Sequence, residues 1–195
     1  MSFIIKNQTN KDLGNWYYFA NGFSNEEIDE INRIAGLSEY EKAKLVSGSG
    51  DYDEYRKSEV KWLNPELGDV SWIYNKFANM CTEANNALWQ FEITGMFEDL
   101  QYALYRDYGG HYDWHMDVGP NEAQVRKISI VLQLSEPEEY EGGVFELFVK
   151  KDVQQIKKKK GSVILFPSYC MHRVTPVTKG ERRSMVLWVS GPPFK

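Results

Sequence analysis

From residue 88 to residue 190 the chain is a train of short runs with the alternation of β-strands: "LWQFEIT", "LQYALYRDY", "YDWHMD", "KISIVLQLS", "GVFELFV", "GSVILFP", "HRVTPV" and "RRSMVLWVS". Glycine, proline and charged residues break the runs every few positions. Parallel strands need a crossover of a dozen or more residues between them, and these runs leave no room for one. Many short strands at close spacing therefore restrict the chain to antiparallel sandwiches and barrels. The expected core is a jelly roll, a double-stranded β-helix, over residues 88–190.

The front of the chain, residues 1–87, reads as helical. In "FSNEEIDEINRIAGLS", Ser24 and Glu27 have the spacing of a capping box. Ile28, Ile31 and Ala35 fall on one helical face, and Gly36 supplies the stop. A second helix is expected after Pro65, where Ile73, Phe77, Met80 and Ala84 recur at steps of three and four. These stripes need a surface to cover, so the expectation is an α+β fold with N-terminal helices on the outer face of one sheet. No linker-like stretch separates the two parts, which predicts a single domain over residues 1–195. Between the helices, "SGSGDYDEYRKSEVKW" is too polar and glycine-rich for a core. It reads as a loop over residues 47–58, a candidate lid at the mouth of a site.

Composition narrows the functions. A net charge of −5 weighs against non-specific nucleic-acid binding. The one basic cluster, Lys157 to Lys160, reads as a solvated hairpin end or a guarded strand edge. The two cysteines, Cys81 and Cys170, form no C-x-x-C pair, which argues against a disulfide framework or a zinc knuckle. There is no apolar run of about 18 residues to span a membrane. The opening "MSFIIKNQTNKDLG" lacks a basic segment followed by a long apolar one. A soluble cytoplasmic protein without membrane partners is expected.

The chemistry rests on histidine. Two of the three histidines stand in "HYDWHMD", His111 to Asp117, and the third is His172 in "FPSYCMHRVTPV". Alternate residues of a strand share a face, so His115 and Asp117 point the same way. His172 follows an apolar strand and brings a third ligand from elsewhere in the chain. Two imidazoles and one carboxylate, with open positions left over, is the donor set of non-haem Fe(II) oxygenases. Downstream, Arg182 and Arg183 must face opposite ways. Arg183 shares its face with Met185, Leu187 and Val189, which suits packing against helices. Arg182 shares one with Ser184, Val186 and Trp188, which leaves it for a cavity. A buried arginine grips a carboxylate through charge-assisted hydrogen bonds worth about 1.5–3 kcal/mol each. The residues alone leave open a jelly-roll binding protein with no metal.

The stretches "YRDYGGHYDWHMD", "RKISIVLQLSEPEEYEGGVFEL" and "GSVILFPSYCMHRVTPVTKGERRSMVLW" resemble the iron(II)- and 2-oxoglutarate-dependent dioxygenases, in their prolyl 4-hydroxylase branch. That branch includes the bacterial PKHD-type hydroxylases. The resemblance implies Fe(II) held by His115, Asp117 and His172, with the distal carboxylate of 2-oxoglutarate on Arg182. It implies that Tyr105 lines the cosubstrate pocket. Gln133 stands where some relatives carry a cosubstrate-binding tyrosine. It places Trp188, Arg56 and Ser58 toward the substrate, and suggests ascorbate as a reductant. The implied substrate is a prolyl residue in a peptide or protein. A free amino acid, a small metabolite or a nucleobase are the alternatives, the last calling for a basic, aromatic groove. His111 is expected to be an exposed bystander, Asp113 to support the ligands, Cys170 to be a packed thiol, and Gly142-Gly143 to form a turn.

Overall fold

A computed structural model describes residues 16–43, 52–64 and 68–194. Gly48 to Asp51, at the centre of the expected lid, lie outside them. The strands are β1 (Tyr17–Phe19), β2 (Glu41–Lys42), β3 (Arg56–Lys57), β4 (Glu59–Leu63), β5 (Leu100–Arg106), β6 (Gly110–His115), β7 (Arg126–Gln133), β8 (Tyr140–Gly142), β9 (Phe145–Val149), β10 (Asp152–Gln155), β11 (Val163–Pro167) and β12 (His172–Ser190). The helices are α1 (Asn25–Ala35), α2 (Tyr52–Tyr55) and α3 (Ser71–Ala84). Among the described residues no helix is long and apolar enough to cross a membrane.

The strands form two antiparallel layers that share β12. One layer runs β1-β11-β7-β12-β5-β4-β2. The other joins β10, β9, β12, β6 and β3, with β8 also on β12. The first part of β12, from His172 to Gly180, pairs in the second layer; Glu181 to Ser190 pair with β5 and β7 in the first. The texts "HRVTPV" and "RRSMVLWVS" are thus one strand rather than two. Gly180 makes the passage possible. Its φ is +73°, and a β-carbon there would lie 2.0 Å from the Glu139 carbonyl oxygen.

Period-two alternation sorts the side chains into two cores. Val131, Phe145, Leu147, Ile164, Phe166, Val174 and Val177 fill the space between the layers. On the outer face of the first layer, Ile28, Ile31 and Ile34 of α1 and Ile73 and Phe77 of α3 cover Ile130, Leu132, Leu165, Met185, Leu187 and Val189. Burying each such side chain contributes about 1.5–3 kcal/mol. The helices therefore cover one sheet as the sequence predicts. Ser24 and Glu27 close the capping box on α1: the Ser24 hydroxyl accepts from the Glu27 N–H, and the Glu27 carboxylate from the Ser24 N–H.

Two expectations need correction. The front third is not wholly helical, because β1 adds to β11 and β4 to β5. The alternation in "SEVKWL" sends Val60 to the inner core and Leu63 to the outer one. Conversely, "LWQFEIT" is not a strand. Its first part is a π-helical turn, Asn85–Trp89, that prolongs α3 and buries Trp89 completely. The Asn85 side-chain amide then bonds both the N–H and the C=O of Phe91, fixing the exit.

Candidate metal centre

His115 is the last residue of β6 and His172 the first of β12, and the two are register partners. Asp117 lies beyond the strand, in a bend. The N–H groups of Asp117 and Val118 both donate to the Ser168 carbonyl, at 2.9 and 3.1 Å, and this turns the carboxylate back toward the histidines. His115 Nε2 lies 3.7 Å from Asp117 Oδ1, and His172 Nε2 lies 3.6 Å from Oδ2. One donor atom from each residue falls within 4.8 Å of the others.

The main chain sets the tautomers. His115 Nδ1 meets the Asp113 carbonyl at 2.7 Å, and His172 Nδ1 meets the Cys170 carbonyl at 3.0 Å. A carbonyl only accepts, so each Nδ1 carries the proton and each Nε2 turns its lone pair to the centre. Asp113 acts here through its backbone. Its exposed carboxylate accepts from the Trp114 N–H, so Asp113 supports His115 by its carbonyl and not by its side chain.

Burial, reinforced by the neighbouring His172, pushes the His115 pKa down to about 3 against the pull of Asp117, so the ring is neutral at neutral pH. Burial disfavours an ionised Asp117. The positive charge that His172 and His115 carry when protonated in acid, together with the hydrogen bond from Ser129, outweighs it and holds the carboxyl below its ordinary value. The centre therefore sets a buried carboxylate beside the Nε2 atoms of two histidines. A divalent cation fits that set in charge and in donor type.

The three residues line a cavity of about 400 Å³, together with Arg56, Tyr105, Trp114, Arg126, Arg182 and Trp188. Arg182 is 1% exposed. Its Nη1 donates to Ser184 Oγ at 3.1 Å and its Nη2 to Gln133 Oε1 at 2.9 Å. Its Nε–H is buried with no partner. A cationic fork with an unused donor, facing a cavity, fits a carboxylate ligand. Tyr105 is the register partner of Arg182 and places its ring centre 5.2 Å from the guanidinium carbon. Gln133 stands behind Arg182 rather than on the cavity wall. Tyr140 of β8, which sequence reasoning passed over, also reaches Arg182; burial raises its hydroxyl pKa while a hydrogen bond with that arginine opposes the rise.

Arg56 lies on the wall with its guanidinium 4.4 Å above the Tyr112 ring, which stacks on His115 at 3.5 Å. Ser58 is behind it and accepts from Arg56 Nε at 2.9 Å. Trp188 carries Arg126 over its ring at 3.7 Å, and the Glu98 carboxylate accepts from Nε and Nη2 of that guanidinium. His111 is half-buried rather than exposed. Its nitrogens face the Gly109 and Glu54 carbonyls, away from the cluster. Cys170 is a buried free thiol with its pKa pushed up to about 11 by burial.

The family model of the 2OG-Fe(II) oxygenase superfamily matches residues 100–190. A PKHD-type hydroxylase of Pseudoalteromonas atlantica is 31% identical over 176 residues, covering 85% of this chain and 74% of that protein. This chain belongs to the 2OG-Fe(II) oxygenase superfamily. A second PKHD-type hydroxylase, from Teredinibacter turnerae, is 41% identical over 83 residues, a match to 37% of its length. The oxygenase shares its fold with solved prolyl hydroxylases. The Trichoplax adhaerens enzyme, in complex with a hypoxia inducible factor oxygen degradation domain peptide fragment, superposes with a TM-score of 0.75 at 19% identity over 95% of this chain and 86% of that one. A Pseudomonas putida prolyl-4-hydroxylase gives 0.71 at 20% identity over 91% and 92%. The oxygenase is thus an oxidoreductase of the dioxygenase type, and its family implies Fe(II) and 2-oxoglutarate.

Proposed function

We propose that this oxygenase hydroxylates a prolyl residue in a peptide or protein. In this reading His115, Asp117 and His172 hold Fe(II), and Arg182 holds the distal carboxylate of 2-oxoglutarate. The observation that carries it is the convergence of the three donor atoms and the fully buried Arg182 on one cavity. When bound, the iron and cosubstrate supply the oxidation of a C–H bond by O₂: 2-oxoglutarate, O₂ and R–H become succinate, CO₂ and R–OH.

The chain's own contribution is position. The carbonyls of Asp113 and Cys170 hold both rings by Nδ1 and aim both Nε2 atoms at the centre. Arg182, braced by Gln133 and Ser184, orients the cosubstrate by its far end, so that the other end faces the metal ligands. Val131, Phe145, Val174 and Val186 line the cavity and keep that space apolar. Tyr55, Trp62 and Trp114 line the same cavity. Flat aromatic faces of this kind suit the rigid ring of proline. The hydroxylase names of the relatives and the peptide held by the Trichoplax enzyme support a prolyl substrate in a chain.

The test begins with an anaerobic titration by Fe(II) and then 2-oxoglutarate, following the visible charge-transfer band of a chelated keto acid. Proline-containing peptides and free L-proline are then offered in air, and product mass is read for one added oxygen. A band together with peptide hydroxylation is the expected result. A folded protein without the band, or turnover of free proline alone, refutes the proposal.

A further inference from the structure

Strand β7 reads Arg-Lys-Ile-Ser-Ile-Val-Leu-Gln, and Ser129 is a hydroxyl placed among fully buried apolar neighbours. Ser168, in the turn between β11 and β12, is also completely buried. Burying a hydroxyl is costly unless it is bonded. Ser129 Oγ donates to Asp117 Oδ2 at 2.6 Å. With that proton committed, Ser129 accepts from Ser168 Oγ at 3.0 Å. Ser168 is held in turn by its N–H on the Lys127 carbonyl at 3.0 Å, and its own carbonyl takes the N–H groups of Asp117 and Val118. A directed relay, Ser168 to Ser129 to Asp117, therefore ends on one oxygen of the carboxylate. Both oxygens face a histidine, Oδ1 towards His115 and Oδ2 towards His172, and of the two only Oδ2 takes the relay.

We propose that Ser129, backed by Ser168, is a positioning residue that keeps Asp117 a one-oxygen donor. The relay fixes the carboxylate plane and occupies a lone pair of Oδ2. Two imidazoles and one carboxylate oxygen leave three positions free on a six-coordinate ion, enough for a chelating keto acid and O₂. A carboxylate free to rotate and bind through both oxygens would close one of them. This inference rests on the proposed metal-binding role of the triad.

Mn(II) in place of Fe(II) provides the probe, because the relaxation of water protons by bound Mn(II) reports how many waters it carries. The comparison is wild type, Ser129→Thr and Ser129→Val. Threonine and valine have nearly the same shape and differ in the hydroxyl. Wild type and Ser129→Thr are expected to give the same relaxivity per bound Mn(II). Ser129→Val is expected to fall by about a third, from three waters to two. Wild-type relaxivity in Ser129→Val at full occupancy overturns the inference. So does a folded Ser129→Val that no longer binds Mn(II), since the hydroxyl would then serve binding itself rather than denticity. Should the added methyl prevent folding, Ser168→Ala reads the same quantity without new atoms: a fall supports the relay, and an unchanged value overturns it. A wild type that binds no Mn(II) overturns the metal-centre reading, a separate outcome.

Discussion

Replacing Arg182 by methionine removes the cationic fork while keeping an unbranched chain in the same space. A guanidinium has five N–H donors. One on Nη1 is used by Ser184 and one on Nη2 by Gln133, a third bond goes to Tyr140, and the Nε–H has no partner. Two donors, the Nε–H among them, therefore remain for a carboxylate. Two charge-assisted bonds from them are worth about 3–6 kcal/mol together. At about 1.4 kcal/mol for each factor of ten, this corresponds to roughly a hundredfold to ten-thousandfold in Kd. The assay is titration of Fe(II)-loaded protein with 2-oxoglutarate under anaerobic conditions, following the charge-transfer band. Arg182→Met is expected to need at least about a hundredfold more cosubstrate, with Fe(II) loading unchanged. Arg182→Lys should fall between, since it keeps the charge but loses the fork. A folded Arg182→Met that loads iron and binds 2-oxoglutarate within about threefold of wild type would refute the assignment of Arg182 and the reasoning from its unused donor.

Three further outcomes follow from the same structure. Asp117→Ala leaves two neutral imidazoles without the anion, so Fe(II) binding measured by anaerobic equilibrium dialysis should be lost; undiminished binding would remove Asp117 from the centre. Gly180→Ala forces a β-carbon into a φ of +73° and against the Glu139 carbonyl. Such strain costs about 1–3 kcal/mol, and Tm should drop by about 2–4 °C for each kcal/mol; an unchanged Tm would mean that β12 bends without it. Ser24→Ala opens the capping box of α1 at a cost of about 1 kcal/mol, read by the same thermal melt, and it should leave metal and cosubstrate binding untouched because α1 lies on the outer face.

The parts of this molecule that could be read from sequence are those governed by local rules. Arg182 and Arg183 separate by strand parity, and the structure buries Arg182 on the cavity while Arg183 pairs with Glu181 and Glu139. His115 and Asp117 come together as expected, although by a bend rather than by parity. That bend depends on Ser168, which no local pattern connects to Asp117. Ser129 left a faint signal as a small polar residue within the apolar run "KISIVLQL", but its partner is twelve residues away and the next lies across a sheet. "LWQFEIT" misled because apolar alternation over a few residues also suits the end of a helix whose last turn buries a tryptophan. The reading of "HRVTPV" and "RRSMVLWVS" as two strands missed differently: Gly180, between them, is the point where one strand changes layers.

That shared strand has a kinetic consequence. β12 is hydrogen-bonded to β6, β8 and β9 along its first part and to β5 and β7 along its second. Freeing the strand from end to end requires both layers to part, so exchange along its whole length should require global unfolding. His172, Arg182 and Trp188 all ride on this slowest-exchanging segment. Asp117 does not: it sits in a bend held by the Ser168 carbonyl, the Ser129 hydroxyl and the Arg126 guanidinium rather than by a strand ladder. The molecule thus combines two donors on paired strands with a third fixed by side-chain hydrogen bonds, so the third is the one that a single side-chain substitution can loosen.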